Sequence, residues 1–419
     1  MNTQTNILND QSELLPWHAK ALFKLLENLR AGKLNLVDPN GNQFCFEGTQ
    51  PGLTAHIHIH NWSVSKSCLK SGDIGFAESY INGEWDSPDI ESLLRLLLIN
   101  RQAIEKLIYG SWWGSLFHRL KHWLNKNSKK GSKKNIHAHY DLGNAFYTLW
   151  LDPTMSYSSA WFSEGDKQGL ADAQRAKIRR ILESLQTKPG DHVLEIGCGW
   201  GGVMEESLRT NRAITGLTLS TEQKVFAEKR LLAVQNEIAS APSFEVRLQD
   251  YRDCQEKFDG IASVEMFEAV GEKHWPEYFE TIAQCLKAGG KACIQTIVIA
   301  EDLFERYRRN TDFIQQYVFP GGMLPSRDSF KASAAKAGLR IEQEFAFGSD
   351  YAKTLCLWRD SFNHKLQEVR QLGFDEAFIR LWNFYLMYCA AGFTERNIDV
   401  VQFTLSHQSS RASSDALSA

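Results

Sequence analysis

Short runs in which apolar and polar residues alternate predict β-strands near the start of the chain. The most regular run covers 53–60, where the apolar residues share one face and His56, His58 and His60 share the other. Three histidines on an open strand, with no Asp, Glu or Cys nearby, offer poor metal-ligand geometry, so we predict a solvated face and no metal site. A periodic apolar stretch from Asp89 to Arg101 predicts a helix. We therefore expect a small α+β domain here.

From about Asp191 onward, apolar strands alternate with helical segments. Strands are predicted at 192–196, 213–217, 244–248, 258–264, 291–296, 341–345 and 355–358. This alternation is typical of a mostly parallel, doubly wound α/β sheet, which binds its ligand at the carboxyl ends of the strands. Residues 299–335 interrupt the alternation with a helical insertion and the sequence Phe319-Pro320-Gly321-Gly322, and we interpret this segment as a lid.

Length and composition narrow the class of protein. A chain of 419 residues predicts two or three domains, and a net charge of −3 argues against nucleic-acid binding. No run of eighteen apolar residues occurs, and the polar N-terminus predicts no secretory signal. The eight cysteines form no CxxC pair, as expected of reduced thiols in a cytoplasmic protein. We expect domains at 1–125 and 136–405, a linker at 126–135, and a disordered tail at 406–419.

The predicted linker is strongly basic. Residues 126–134 hold five lysines and no acid, and tryptophans at 112, 113 and 123 precede them. A flexible connection explains the Gly/Ser/Lys composition. Tryptophans also suit a bilayer interface, where each lysine near an anionic surface adds roughly 1 kcal/mol of attraction. We favour a linker that also contacts a membrane over a simple linker.

The strand at 192–196 leads into a glycine-rich loop that spans 195–202. Its form is E-x-G-x-G-x-G, with Glu195 followed by Gly197, Gly199 and Gly201. The glycines let the backbone pass close to a ligand. A dinucleotide loop has the spacing G-x-G-x-x-G and places a pyrophosphate on the following helix. The early acid here fits S-adenosylmethionine instead, because its ammonium and ribose favour a carboxylate.

Seven motifs in order carry a resemblance to a known family. They lie at 139–144, 157–160, 195–202, 216–223, 249–253, 266–268 and 388–393. Together they resemble the cyclopropane fatty acid synthases and, more distantly, the mycolic-acid methyltransferases. The stretch 72–85 (GDIGFAESYINGEW) is similar to the small lipid-contacting domain of that family.

The resemblance implies a Rossmann-like class I methyltransferase that transfers a methyl group from S-adenosylmethionine to the double bond of an acyl chain within a membrane phospholipid, giving a cyclopropane. It also implies a cytoplasmic protein on the inner face of the membrane, in contact with the phospholipid bilayer, and allows a homodimer. The implied cofactor contacts, with Gly201 from the loop, are Tyr157, Ser158, Glu195, Gly197, Gly199, Gly201, Thr218, Leu219, Gln223, Asp250 and Tyr251. Aromatic candidates for the sulfonium and the carbocation are Tyr157, Trp161, Phe267 and Tyr351.

The implied catalytic site departs from the family. There a bicarbonate base is held by a Cys, a Glu, a His, an Ile backbone and a Tyr. The corresponding positions here are Ser159, Glu268, Gln295, Ile297 and Tyr351, so the Cys and the His are replaced. Three outcomes stay open: weaker bicarbonate binding, Glu268 acting as the base, or loss of a chain proton that leaves a methyl-branched alkene.

Other readings stay open. Cys389 has been assigned a catalytic role in the family, but the chemistry needs no covalent intermediate, and we expect a structural cysteine. Asp250 is either an adenine contact or a turn-former. A soluble amine N-methyltransferase and a non-catalytic lipid-binding protein are the alternative functions; the lipid-domain resemblance argues against the first, and the intact cofactor loop against the second.

Overall fold

The computed structural model describes residues 15–102, 142–165, 167–238 and 240–408. These residues form two compact units. The first comprises 15–102 with 305–321 and 351–398, and the second comprises the described residues of 142–304 with 322–350 and 399–408. The two later segments of the first unit fall inside the methyltransferase domain expected from the sequence. The expected domain boundaries stay a prediction.

The first unit contains a small sheet of order β2-β1-β3-β4. Its strands are β1 (Ala31–Val37), β2 (Gln43–Glu47), β3 (Gln50–Ile59) and β4 (Trp85–Asp86). β1 pairs antiparallel with β2 and parallel with β3. The alternation predicted for 53–60 is confirmed, because the apolar side chains of β3 are buried while His56 and His58 are exposed.

Helices complete the first unit, and the predicted helix near Asp89 is confirmed. They are α1 (Trp17–Leu26), α2 (Ser63–Ile81), α3 (Ile90–Ile99), the end of α11 (Gly348–His364), α12 (Leu366–Gln371) and α13 (Glu376–Thr394). Asp89 caps α3 by accepting a hydrogen bond from the backbone N–H of Ser92 at 3.0 Å. α13 packs against α2 and α3 through its apolar face. The ring of Phe76 stacks on buried Trp85 with centroids 4.3 Å apart.

The second unit is built on a sheet of order β10-β11-β9-β8-β5-β6-β7, which confirms the doubly wound α/β prediction. Its strands are β5 (His192–Ile196), β6 (Ala213–Thr218), β7 (Phe244–Leu248), β8 (Phe258–Val264), β9 (Leu286–Ile299), β10 (Leu339–Ala346) and β11 (Ile398–His407). β5, β6, β7, β8 and β9 pair in parallel, and β10 pairs antiparallel with β11.

Two expectations about strands were wrong. The predicted strand at 355–358 is part of helix α11, because its four apolar-rich residues continue a longer helical repeat. The strand that completes the sheet is β11, which the sequence analysis did not assign. It runs to His407, so it includes the first two residues of the expected tail at 406–419, and its backbone pairs with β10.

The remaining helices belong to the second unit, apart from part of one. They are α4 (Gly143–Trp150), α5 (Leu170–Ser184), α6 (Gly202–Arg209), α7 (Thr221–Glu237), α8 (Trp275–Cys285), α9 (Glu301–Arg309) and α10 (Arg327–Lys336). The part of α9 from Glu305 onward belongs to the first unit. The helical insertion predicted at 299–335 is present as α9, a π-helical turn at Ile314–Val318 and α10. Its role as a lid stays a prediction.

Within the described ranges, no helix has the length and apolar character needed to cross a bilayer. In the same residues, no cluster of His, Cys, Asp and Glu side chains has the arrangement of a metal site. The basic stretch 126–134, the tryptophans before it and residues 139–141 of the first motif lie outside the described residues.

Candidate active site

The glycine loop follows β5 and leads into α6. Gly197 has φ +82°, and a Cβ there would lie 2.7 Å from Cγ of Met266. Gly201 has φ +81° and is the residue before the first turn of α6. Both positions demand glycine, since side chains rarely adopt this conformation and the space beside Gly197 is already filled. The loop backbone is therefore held open along one side of a cavity.

This cavity lies at the carboxyl ends of the parallel strands β5, β6, β7 and β8, as the fold class predicts. The predicted cofactor residues that line it are Tyr157, Ser158, Glu195, Gly197, Gly199, Thr218, Leu219, Gln223, Asp250 and Tyr251. Gly201 does not line the cavity; it directly precedes α6. The structure thus brings together the residues that the sequence had assigned to one ligand.

Glu195 ends β5 inside this cavity, and its side chain is buried. Its Oε2 atom has no hydrogen-bond partner among the described residues. Burial raises the pKa of this carboxyl well above its usual value, and the positive charge of Lys177 opposes the rise. A buried carboxylate oxygen without a partner is suited to receive a ligand's hydroxyl or ammonium group.

Lys177 is a cavity residue that the sequence analysis missed. It is 1% exposed, and its Nζ donates to the hydroxyl of Ser158 at 2.5 Å. Burial lowers its pKa to about 8, against the opposing influence of Glu265, Asp152 and Glu195. The signal was present in the sequence, because Lys177 falls within the inward-facing apolar stripe of α5. A lysine in such a stripe indicates a paired or functional cation.

Asp250 forms a turn with Arg252, and its contact with adenine stays a prediction. Its carboxylate pairs with the guanidinium of Arg252 at 2.6 and 2.8 Å and accepts from the Arg252 backbone N–H at 3.1 Å. These bonds stabilise the turn after β7. The same side chain lies on the cavity wall next to Tyr251, whose pKa is raised by burial. The turn therefore fixes a carboxylate at the edge of the ligand site.

Glu268 lies in a short 3₁₀ turn (Phe267–Ala269) after β8 and is not a helix cap. Its Oε1 accepts a hydrogen bond from the backbone N–H of Ile297, and its Oε2 has no hydrogen-bond partner in the part of the chain that the structure describes. Burial, followed by the negative charge of Glu265, raises its pKa to about 8. These surroundings therefore favour the protonated form of the Glu268 carboxyl.

Glu265 is a second acid at this site, and the sequence analysis missed it. It follows β8 directly with φ +49°, a left-handed conformation that is uncommon outside glycine. Its side chain lines the cavity. Its Oε1 accepts from the backbone N–H of Ser159 at 2.9 Å and from the side-chain amide of Gln295 at 2.7 Å. Two donors thus converge on one carboxylate oxygen.

The amide of Gln295 is itself held by a buried chain of hydrogen bonds. Gln402 on β11 donates from Nε2 to Oε1 of Gln295 at 3.0 Å, and Arg180 on α5 donates to Oε1 of Gln402 at 2.6 Å. The guanidinium of Arg180 lies 3.7 Å over the ring of Phe345. This order of donors and acceptors points the NH₂ group of Gln295 at Glu265.

The remaining predicted residues are placed as follows. The hydroxyl of Ser159 donates to the carbonyl of Ala160 at 2.9 Å. Phe267 is buried in an aromatic cluster, with its ring centroid 5.0 Å from that of Tyr278. Tyr351 and Cys389 belong to the first compact unit. Burial, followed by the negative charge of Asp312, raises the pKa of the Cys389 thiol, so the thiolate form is disfavoured.

Comparison with known proteins places this site in a family. The family described as mycolic acid cyclopropane synthetase matches residues 127–403. A tuberculostearic acid methyltransferase of Mycobacterium tuberculosis is 37% identical over 352 residues, covering 82% of this chain and 81% of the relative. A cyclopropane-fatty-acyl-phospholipid synthase of Escherichia coli is 34% identical over 355 residues, covering 84% and 88%. A crystal structure of a mycolic acid cyclopropane synthase complexed with SAH and CTAB shares 32% identity and a TM-score of 0.60, covering 65% of this chain and 97% of its own.

The fold, the glycine loop and these similarities define an S-adenosylmethionine-dependent methyltransferase. The chain belongs to the cyclopropane fatty acid synthase family, and the resemblance of its seven motifs is confirmed. Its reaction is either cyclopropane formation or methyl transfer on fatty acyl chains, with S-adenosylmethionine as the methyl donor.

Proposed function

We propose that this enzyme transfers the methyl group of S-adenosylmethionine to the double bond of unsaturated acyl chains in membrane phospholipids and closes a cyclopropane ring. The observation that carries the proposal is the arrangement at the end of β8. There a cavity built on the glycine loop is bordered by Glu265, and the half-buried Glu268 lies in the 3₁₀ turn that follows. The reaction requires a bound methyl donor, a site shielded from water and a group that accepts a proton.

The cavity residues divide into roles toward the cofactor. Glu195, with its unpartnered Oε2, would receive the ribose hydroxyls or the ammonium group. The ammonium of Lys177, buried beside Ser158, would pair with the cofactor's carboxylate, because a buried cation next to a cavity favours an anionic partner. Gln223, whose Oε1 accepts from the Thr218 hydroxyl at 2.9 Å, keeps its amide N–H groups available for the cofactor.

The lipid substrate is the second part of the proposal. The N-terminal unit contains the stretch 72–85 that resembles a lipid-contacting domain, and the basic residues 126–134 would attract an anionic surface. We place the enzyme in the cytoplasm, bound peripherally to the inner face of the membrane. A soluble amine substrate would need neither feature.

A second product has a specific observation in its favour. One relative that is 37% identical is named a tuberculostearic acid methyltransferase, and the base position here differs from the bicarbonate pattern that the resemblance implies. If the proton is taken from a neighbouring chain carbon instead of the new methyl group, the product is a methyl-branched alkene. The two products have the same elemental composition.

A single assay tests the proposal. The protein is incubated with labelled S-adenosylmethionine and vesicles of monounsaturated phospholipid, and the fatty esters are analysed by mass spectrometry and NMR. Cyclopropane proton signals upfield of the chain methyl support the proposal, whereas the alkene signals of a methyl-branched chain support the second product. Label in soluble amines alone, or no transfer despite cofactor binding, contradicts both. The variant Glu195→Gln serves as the cofactor-site control, with Glu183→Gln on an exposed position of α5 as the matched neutral control.

A further inference from the structure

We infer that the carboxylate of Glu265 is the base that removes the proton from the methylated intermediate, so that the enzyme works without a bicarbonate ion. The inference rests on the proposed function and deepens it. It identifies a catalytic residue that the motif comparison had not assigned, and it identifies Gln295, Gln402 and Arg180 as its positioning residues.

The hydrogen-bond donors at the implied anion position are occupied by the protein's own acids. The positions that the resemblance assigns to an anion include Ser159, Gln295 and the backbone of Ile297. In this protein the backbone N–H of Ser159 and the side-chain amide of Gln295 donate to Oε1 of Glu265, while the Ser159 hydroxyl donates to the carbonyl of Ala160. The backbone N–H of Ile297 donates to Oε1 of Glu268. The protein's own carboxylates therefore hold the hydrogen bonds that an external anion would need.

The charge of Glu265 also disfavours the binding of an added anion. A bicarbonate ion placed beside these groups would lie next to the negative charge of Glu265 in a buried site, where like charges repel strongly. The cation of Lys177 already interacts with Glu265, Asp152 and Glu195. The neutral amide of Gln295 supplies a hydrogen bond but no further positive charge to offset that repulsion. The site therefore favours one resident carboxylate over an added anion.

The backbone and side chain of Glu265 are also held in a defined position. The backbone of Glu265 is held in a left-handed conformation at the end of β8, and its N–H donates to the carbonyl of Gln295 at 2.8 Å. The chain from Arg180 through Gln402 fixes the orientation of the Gln295 amide. Uncommon backbone geometry at a cavity wall, supported by a buried polar network, is typical of a residue held in place for function.

The proposed step balances as follows. The π electrons of the alkene form a bond to the methyl carbon while the C–S bond breaks, and its electron pair neutralises the sulfonium. A carbocation remains on the chain. Glu265 takes a proton from the new methyl group, and the C–H electron pair closes the three-membered ring. The proton stays on the Glu265 carboxyl until product release returns it to water.

The test compares wild-type enzyme and Glu265→Ala in buffer freed of carbonate by argon sparging, with and without added bicarbonate. We expect the wild-type rate to change less than twofold on addition. We expect Glu265→Ala to lose at least about a hundredfold in rate and to recover part of it with bicarbonate or formate, since either fills the vacated anion position. Glu183→Gln should match wild type in both buffers.

Other outcomes overturn the inference. A wild-type rate that collapses without bicarbonate, or a Glu265→Ala variant that stays fully active, removes Glu265 from the role of base. If Glu265→Ala fails to fold, Glu265→Gln and the wild-type bicarbonate titration decide the question. Absence of lipid methylation by wild type under every condition overturns the proposed function, a result distinct from bicarbonate dependence. Calorimetric binding of S-adenosylmethionine to each variant separates loss of the base from loss of the cofactor site.

Discussion

The side-chain amide of Gln295 donates a hydrogen bond to the carboxylate of Glu265 at 2.7 Å. Glu265 directly follows β8, and Gln295 lies within the neighbouring parallel strand β9, opposite Val264. Gln295 stands where the family resemblance expects a histidine. A histidine would titrate near neutral pH, whereas a glutamine keeps the same donor at every pH. Glutamine in place of histidine is therefore consistent with a site in which residue 295 orients the carboxylate of Glu265 and does not share a proton with it.

Loss of the Gln295 donor should slow the reaction. In Gln295→Leu, Glu265 loses a charge-assisted hydrogen bond, and we expect kcat to fall by about 10- to 100-fold. The affinity for S-adenosylmethionine, measured by calorimetry, should change less than threefold. A large loss of cofactor affinity with an unchanged rate in saturating cofactor would contradict this role.

Gln402 should act through Gln295. Gln402→Met removes the bond that fixes the amide while preserving side-chain volume, so we expect a smaller decrease in kcat than for Gln295→Leu. The double variant should be no slower than Gln295→Leu alone, because both changes disable one chain of hydrogen bonds. Additive losses in a steady-state double-mutant cycle would show that Gln402 contributes independently.

The two acids should respond differently to amide substitution. Burial and the negative charge of Glu265 raise the pKa of Glu268 and favour its protonated form, which glutamine imitates. We expect Glu268→Gln to keep a rate within about tenfold of wild type, whereas Glu265→Gln loses at least about a hundredfold. The reverse ranking in a lipid methylation assay would make Glu268 the base.

Stability should also report the raised pKa of Glu268. An acid whose pKa is higher in the folded than in the unfolded protein favours folding at low pH, and this contribution is lost as the pH rises through about 8. We therefore expect Glu268→Gln to increase the melting temperature relative to wild type at pH 8 and to change it little at pH 4.5. Equal shifts at both pH values would argue against a buried, protonated Glu268.

Lys177 should control cofactor affinity. Lys177→Met keeps the buried stem and removes the charge, and we expect the Kd for S-adenosylmethionine to rise by about 10- to 100-fold. Because the pKa of Lys177 is lowered to about 8, wild-type affinity should decrease as the pH rises above 8 and the cation is lost. The exposed Lys188→Met provides the control, and a pH-independent Kd between pH 7 and 9 would exclude this pairing.

Much of the sheet could be predicted because each parallel strand is a short apolar run that ends in turn residues. The glycine loop could be predicted from the spacing of its glycines. Gly197 and Gly201 both adopt the positive φ that favours glycine. The four residues at 355–358 are too few to distinguish a strand from a helix, and so α11 was misassigned. β11 was missed because it is inserted between β9 and the edge strand β10 and runs antiparallel to β10, outside the regular parallel alternation.

The cofactor wall could also be predicted, because its residues lie in motifs with fixed spacing. The positioning of Glu265 could not, since it depends on Gln295, Gln402 and Arg180, which the chain brings together from three distant elements. Glu265 directly precedes the motif at 266–268, but its importance follows only from the donors that converge on it. Lys177 could have been found from its place in the buried stripe of α5.

The most direct test of the account uses S-adenosylmethionine with a fully deuterated methyl group and vesicles of monounsaturated phospholipid. Ring closure removes one deuterium from the transferred methyl carbon, whereas proton loss from the chain leaves all three in place. The account predicts fatty esters that carry a CD₂ bridge, formed by wild-type enzyme in carbonate-free buffer. An intact CD₃ group on the chain would contradict ring closure, and unlabelled fatty esters would contradict methyl transfer to lipid altogether.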